Sequence, residues 1–142
     1  MPSDLQLKAM NAVHQIVLKA SGGRIGWKAA GMPVLELTTV GRKSGNPHSI
    51  MLTSPVQQDE SLVVVASRGG DDRHPAWFLN LRDNPDVEVR LLGKPKQPMR
   101  ARIADADERA RVWPQVIARY KNYGSYQSKT DREIPLVLLE PR

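Results

Sequence analysis

The chain has no cysteine. Disulfides, thiolate nucleophiles and Cys-ligated metals are thereby excluded, and the absence fits a reducing cytoplasm. Long apolar runs are missing too. The longest, such as Leu62-Val63-Val64-Val65-Ala66, fall far short of the roughly 20 residues that span a bilayer as a helix. Asp4 and polar neighbours interrupt the first apolar positions, so the N-terminus does not read as a signal peptide. Several catalytic signatures are also lacking. There is no G-x-G-x-x-G, and Gly41 to Ser44 does not meet the P-loop spacing. His14, His48 and His74 are far apart and form no H-x-x-x-H pair, which leaves little for zinc. Ser67 lies outside any G-x-S-x-G elbow.

What is present is a chain of 142 residues, one domain by length, able to bury roughly two thirds of its unfolded surface. A net charge of +6 and a pI near 9.9 favour anionic partners. Nucleic acid, acidic lipid and phosphorylated cofactors all meet that description, and the basic residues are spread along the chain.

Asp4 to Ser21 carries Leu7, Met10, Val13, Val17 and Leu18 at helical spacing, with Gly22-Gly23 as the stop. Beyond it the pattern becomes β-rich: Val34 to Val40, Ile50 to Thr53 and Leu62 to Ala66. Val87 to Leu91 and Met99 to Ile103 alternate with period two, and Ile134 to Leu139 reads as a buried strand. Two helical pieces interrupt the strands. One starts at Pro75 and ends before Asn84-Pro85. The other starts near Asp105, with Glu108 at capping-box spacing; Trp113, Val116, Ile117 and Tyr120 share a face, and Pro114 is expected to kink or restart it. Strands and long helices do not alternate, so a small, mostly antiparallel barrel with helical attachments is expected rather than a doubly wound parallel sheet.

Three stretches carry chemistry. In "TTVGRKSGNP" (Thr38 to Pro47), Gly41 and Gly45 let a ligand approach the backbone. Arg42 offers a planar fork for phosphate, Lys43 a compact charge and Ser44 a hydroxyl. A plain hairpin with solvated charges is the other reading, and the loop alone does not choose. "ASRGGDDRHPAWFLNL" (Ala66 to Leu81) places Ser67 and Arg68 at a strand end, where binding residues often sit, then a short helix with Trp77 and Asn80. "RYKNYGSYQSKTD" (Arg119 to Asp131) holds all three tyrosines at i, i+3 and i+6, along one side of a helical turn. Tyr120 continues the apolar face, and a core role is weaker for Tyr123 and Tyr126. The set suits a planar, phosphate-bearing cofactor beside an aromatic substrate pocket. With no strong base or nucleophile, the chemistry falls to the cofactor.

These stretches, with "VVVASRGG…HPAWFLNLRDNPDVEV" and "YGSYQSKTDREIPLVLLEP", resemble the deazaflavin-dependent nitroreductase family, the quinone reductases that use reduced coenzyme F420. The likeness runs from Val34 to Pro141, about three quarters of the chain. It implies a split β-barrel of the flavin-mononucleotide-binding type over residues 33–142, after an N-terminal helix and connector over 1–32. It implies hydride transfer from reduced deazaflavin to an electrophilic small-molecule acceptor: a quinone, nitroaromatic or conjugated enone. Arg42, Lys43 and Ser44 match the loop for the cofactor's phosphate and acidic tail. His48, Ser49, Met51, Leu52, Thr53, Val65, Ala66, Ser67, Arg68, Ala76, Trp77, Asn80 and Tyr123 complete the implied cofactor contacts. Tyr120, Tyr123 and Tyr126 match a substrate wall, and Ser67, Tyr123 and Tyr126 the groups that bond the acceptor oxygen. Where the family shows Arg-x-x-Pro-Leu, this chain has His48-Ser49-Ile50-Met51-Leu52; the missing arginine takes away one contact to the tail.

Other readings stay open on residues alone: the same barrel using flavin mononucleotide, a deazaflavin carrier without turnover, or a nucleic-acid module. The last is disfavoured because the cations are not interleaved with aromatics on one strand face. Monomer and homodimer are both compatible with the sequence. A peripheral membrane contact through the N-terminal helix, with Lys8, Lys19, Arg24, Trp27 and Lys28, would bring a cytoplasmic enzyme to a membrane quinone.

Overall fold

The computed structural model describes residues 28–29, 32–91 and 94–142. The helix expected over Asp4 to Ser21, and the membrane contact attached to it, lie outside these residues. The described part forms eight strands in one sheet: β1 Lys28–Ala29, β2 Met32–Val40, β3 Pro47–Thr53, β4 Val56–Gln58, β5 Ser61–Val65, β6 Asp86–Arg90, β7 Gln97–Ile103 and β8 Leu136–Pro141. Three helices join them: α1 Ala76–Asp83 between β5 and β6, and α2 Ala106–Arg119 with α3 Asn122–Ser128 between β7 and β8.

Every pairing is antiparallel, in the order β1-β2-β6-β7-β8-β5-β4 with β3 also on β2. The antiparallel expectation holds; closure into a barrel does not. Among the described residues β3 and β4 do not pair, although only Ser54-Pro55 separates them. Pro55 has no N–H to donate. Ser54 is committed elsewhere, its N–H to the Pro33 carbonyl and its hydroxyl to the Val56 carbonyl, both at 2.9 Å.

Period-two alternation assigns side chains to two apolar layers. Leu35 and Leu37 of β2 pair with Leu52 and Ile50 of β3. With Val64, Val87, Val89, Met99, Val137 and Leu139 they bury Trp77, Phe78 and Leu81 of α1. Val63, Val65, Leu136 and Leu138 point the other way, onto Val112 and Val116 of α2 and Tyr123 of α3. Strands β5 and β8 are covered on both faces. That is why their sequences are continuous apolar runs while β6 and β7 alternate.

Helix α1 starts directly after Pro75, whose backbone is extended. In α2 the expected cap is present: the Asp105 carboxylate accepts the Glu108 N–H at 2.8 Å. Pro114 neither restarts nor ends this helix, which is continuous from Ala106 to Arg119. Only the N–H that position 114 would have donated is lost, and burial of Val112 and Val116 on either side of it holds the helix down. Replacing Asp105 by alanine is expected to cost about 1 kcal/mol through the orphaned N–H groups. Calorimetry should then show a melting temperature about 2–4 °C lower.

Candidate functional site

The Gly41–Asn46 loop is a tight hairpin, and its side chains open onto a cleft. Gly41 N–H donates to the Asn46 carbonyl at 2.8 Å, and Gly45 N–H to the Gly41 carbonyl at 2.9 Å. Gly45 has φ +72°, the left-handed region that glycine enters without strain. A methyl group on Gly41 would lie 2.7 Å from both Ser44 Oγ and His48 Nε2, so a larger residue there would push these two side chains aside.

The cleft encloses about 320 Å³, within the range of small-molecule sites. Thr39, Gly41, Arg42, Lys43 and Ser44 line it from β2 and the loop, His48, Ser49 and Ile50 from β3, and Ala76, Trp77 and Asn80 from α1. Arg42, Lys43, Ser44 and His48 are exposed at this cleft. Ser44 Oγ accepts the Asn46 N–H at 3.1 Å and stands 3.5 Å from His48 Nε2. Ser49 Oγ is 2.8 Å from Thr38 Oγ1. Asn80 is buried, and its Oδ1 accepts from Arg42 N at 3.2 Å and Arg42 Nη1 at 3.0 Å.

The structure therefore brings Arg42, Lys43, Ser44, His48, Ser49, Ala76, Trp77 and Asn80 together. The other expected site residues lie off this cleft. Met51, Leu52 and Thr53 continue β3 away from it, and Val65 and Ala66 are buried in the two apolar layers. Arg68 pairs with Asp71, both side chains largely buried.

Ser67 belongs to a second assembly held by Arg132. The Arg132 guanidinium donates to the carbonyls of Ala66, Ser67 and Asp71 at 3.2, 2.9 and 2.8 Å, and lies 3.1 Å from His74 Nδ1. Gly70, at φ +87°, comes so close to α3 that a Cβ would sit 2.8 Å from the Tyr126 carbonyl. This contact sets the tyrosine helix against the Ser67 loop.

The tyrosines pack edge to face, Tyr120 on Tyr123 at 5.3 Å and Tyr123 on Tyr126 at 6.0 Å between centroids. Of Tyr123 and Tyr126, both expected to be less core-like than Tyr120, Tyr123 is the buried one; Tyr120 and Tyr126 are half-buried. The Tyr123 hydroxyl lies 3.0 Å from Thr53 Oγ1, so β3 runs from the cleft to the tyrosine cluster. Burial pushes the phenol of Tyr123 above its ordinary pKa against the opposing effect of the Thr53 hydrogen bond, and burial raises that of Tyr126 as well. Both hydroxyls thus stay protonated at neutral pH and can donate. A folded-state pKa above the unfolded value gives stability that is full below the unfolded pKa and lost as pH rises through the folded one. The unfolding midpoint should therefore decline above about pH 10, and decline less steeply in Tyr123→Phe.

Residue pattern alone passed over Thr39, Ile50 and Arg132. The first two were accessible: Thr39 pairs with His48 and Leu37 with Ile50, so both cleft residues lie on the β-ladder face of His48. Nothing local marks Arg132, whose partners are 58 to 66 residues away.

Comparison with known proteins supplies the context. The family model for F420H(2)-dependent quinone reductases matches residues 10–141. An F420H(2)-dependent quinone reductase of Mycobacterium tuberculosis is 38% identical over 139 residues, covering 92% of this chain and 89% of the relative. Among solved structures, an F420-H2 dependent reductase superposes with a TM-score of 0.68 at 38% identity, covering 76% of this chain and 94% of the other. A chain described as a domain-swapped dimer gives 0.70 at 33% identity, covering 91% and 94%. An FMN-binding protein of Nostoc punctiforme related to pyridoxamine 5'-phosphate oxidase gives 0.51 at 14% identity, covering 92% and 78%, a likeness of fold alone. With a matching family model over nearly its whole length and a relative above 30% identity, this chain belongs to the F420H(2)-dependent quinone reductase family.

Proposed function

We propose that the chain reduces a quinone-type acceptor with reduced coenzyme F420, holding the cofactor in the cleft between the β2–β3 hairpin and α1. The observation that carries this reading is the donor set: two exposed cations, a serine hydroxyl and a glycine cradle open onto one cleft walled by Trp77, Ala76 and Ile50. Those residues fit a ligand with an anionic tail and a flat ring. When bound, reduced deazaflavin supplies a hydride.

The protein's own groups bind, orient and protonate. Arg42 forks onto phosphate and Lys43 adds a point charge for an acidic tail. Ser44 donates from its hydroxyl, while the apolar wall excludes water from the ring face. Tyr126 is the better acceptor-side donor, because the Tyr123 hydroxyl already meets Thr53. A donor aimed at the acceptor oxygen stabilises negative charge as it develops there. A quinone that takes up a hydride needs one proton to become the hydroquinone, and Tyr126, Ser67 or water delivers it. Nitroaromatics and conjugated enones carry the same electrophilic character and belong to the proposed acceptor range. The proposed architecture is a split barrel, supported by likeness to the FMN-binding neighbour. A homodimer is proposed from likeness to the domain-swapped relative.

Titrating the protein with oxidised F420 and with FMN, read by cofactor fluorescence, tests the assignment. Saturable F420 binding with FMN at least about tenfold weaker is expected. Equal or tighter FMN binding would overturn it.

A further inference from the structure

Asn80 reaches back from α1 to the end of β2 and grips it on both sides of Val40-Gly41. Its Nδ2 donates to Thr39 Oγ1 at 3.1 Å. Its Oδ1 takes two donors from a single residue, the backbone N–H of Arg42 at 3.2 Å and Nη1 of the same residue at 3.0 Å. An amide oxygen has two lone pairs, so this acceptor is filled. Asn80 is 5% exposed, whereas Arg42 is exposed.

We infer that Asn80 is a positioning residue of the cradle, acting on the cofactor's anionic tail through Arg42. The inference rests on the proposed function of the cleft. Two physical consequences follow from the double bond to Arg42. The backbone contact fixes where the loop leaves β2, and so where the hairpin's N–H groups and Lys43 stand. The side-chain contact fixes one nitrogen of a guanidinium that has five N–H donors, leaving the rest to face the ligand. The rotamer freedom that an arginine would otherwise surrender on binding is surrendered on folding instead, which favours affinity by preorganisation. A direct ligand contact through Oδ1 would need one of the Arg42 bonds to break.

The test compares wild type, Asn80→Leu, Asn80→Asp, Arg42→Ala and the Asn80→Leu/Arg42→Ala double variant. Affinity for oxidised F420 is measured by fluorescence titration, turnover at saturating cofactor by quinone reduction, and amide exchange over residues 41–46 without ligand. Asn80→Leu should weaken F420 binding by about tenfold or more, leave kcat within about threefold and speed exchange in the loop. Added to Arg42→Ala, which keeps the backbone N–H bond to Oδ1, the same change should cost clearly less than it does in wild type, because the side-chain share is already gone. Asn80→Asp keeps an acceptor for both Arg42 donors, and the Thr39 hydroxyl can turn to donate to the carboxylate where Nδ2 donated to it, so its loop should exchange at about the wild-type rate; this variant carries the test if the leucine variant does not fold. Equal losses of F420 affinity from Asn80→Leu with and without Arg42, or unchanged exchange in Asn80→Leu, would overturn the inference. Fast exchange in Asn80→Asp would do the same. Failure of wild type to bind F420 would instead remove the functional reading on which it rests, a separate outcome.

Discussion

Replacing Arg42 and Lys43 together by alanine should weaken F420 binding about a hundredfold while leaving kcat at saturating cofactor within about threefold. A charge-assisted hydrogen bond contributes about 1.5–3 kcal/mol, and each tenfold in affinity is about 1.4 kcal/mol. Two such bonds would reach about 3–6 kcal/mol. The lower end applies because both side chains are exposed, where water and salt screen them. Neither residue belongs to the apolar layers or to the tyrosine cluster, so the effect should fall on cofactor affinity. For the same reason, raising salt should weaken wild-type binding and weaken the double variant much less. A loss shared equally between affinity and turnover would contradict the division between a binding hairpin and an acceptor side at the tyrosines.

Gly70→Ala should be the most damaging single-methyl change on the acceptor side. At φ +87° any side chain is strained, and the new Cβ would meet the backbone carbonyl of Tyr126 at 2.8 Å. Left-handed strain costs about 1–3 kcal/mol, and the clash can be relieved only by moving α3 and the Gly70 turn apart. A total of at least about 3 kcal/mol is expected, seen as a fall in melting temperature of roughly 6–12 °C. Gly45 provides the control. Its φ is +72° but a Cβ there meets nothing within 4 Å, so Gly45→Ala should cost only about 1 kcal/mol. Because the displaced helix carries Tyr126, the KM for quinone should rise in Gly70→Ala more than the dissociation constant for F420. Similar melting temperatures for the two alanine variants would show that the approach of Gly70 to α3 is not a constraint in solution.

Much of this arrangement is legible in the residues, for reasons of range. Strands β6 and β7 show their alternation because one face is wet, and β5 shows four apolar residues because neither face is. The Asp105 cap is three residues from its partner. Most of the cleft could be assembled in advance because its polar residues other than Thr39 lie in two short stretches, Arg42 to Ser49 and Ala76 to Asn80. Strand β4 is different. Its three residues Val56-Gln57-Gln58 are too few to show a period, and they are held by pairing with β5 across a turn in which Asp59 takes φ +54°. The partners of Arg68 and Arg132 were hidden because charge does not announce its partner. Arg68 turns inward to Asp71, and Arg132 ties together carbonyls distant in the chain. Tyr123 was misplaced for a related reason. Its neighbours Gly124 and Ser125 read as loop, whereas packing on Val112, Val116 and Ile134 decides its burial.

Anaerobic reoxidation of reduced F420 by the purified protein, followed by the return of deazaflavin absorbance with and without menadione, bears most directly on the function. Protein-dependent reoxidation that requires the quinone, saturates with F420 and is restored in the Arg42/Lys43 double variant by excess cofactor is the predicted result. Reoxidation no faster than in the absence of protein, with F420 nonetheless bound in the cleft, would contradict quinone reduction and leave a protein that binds the cofactor without turning it over.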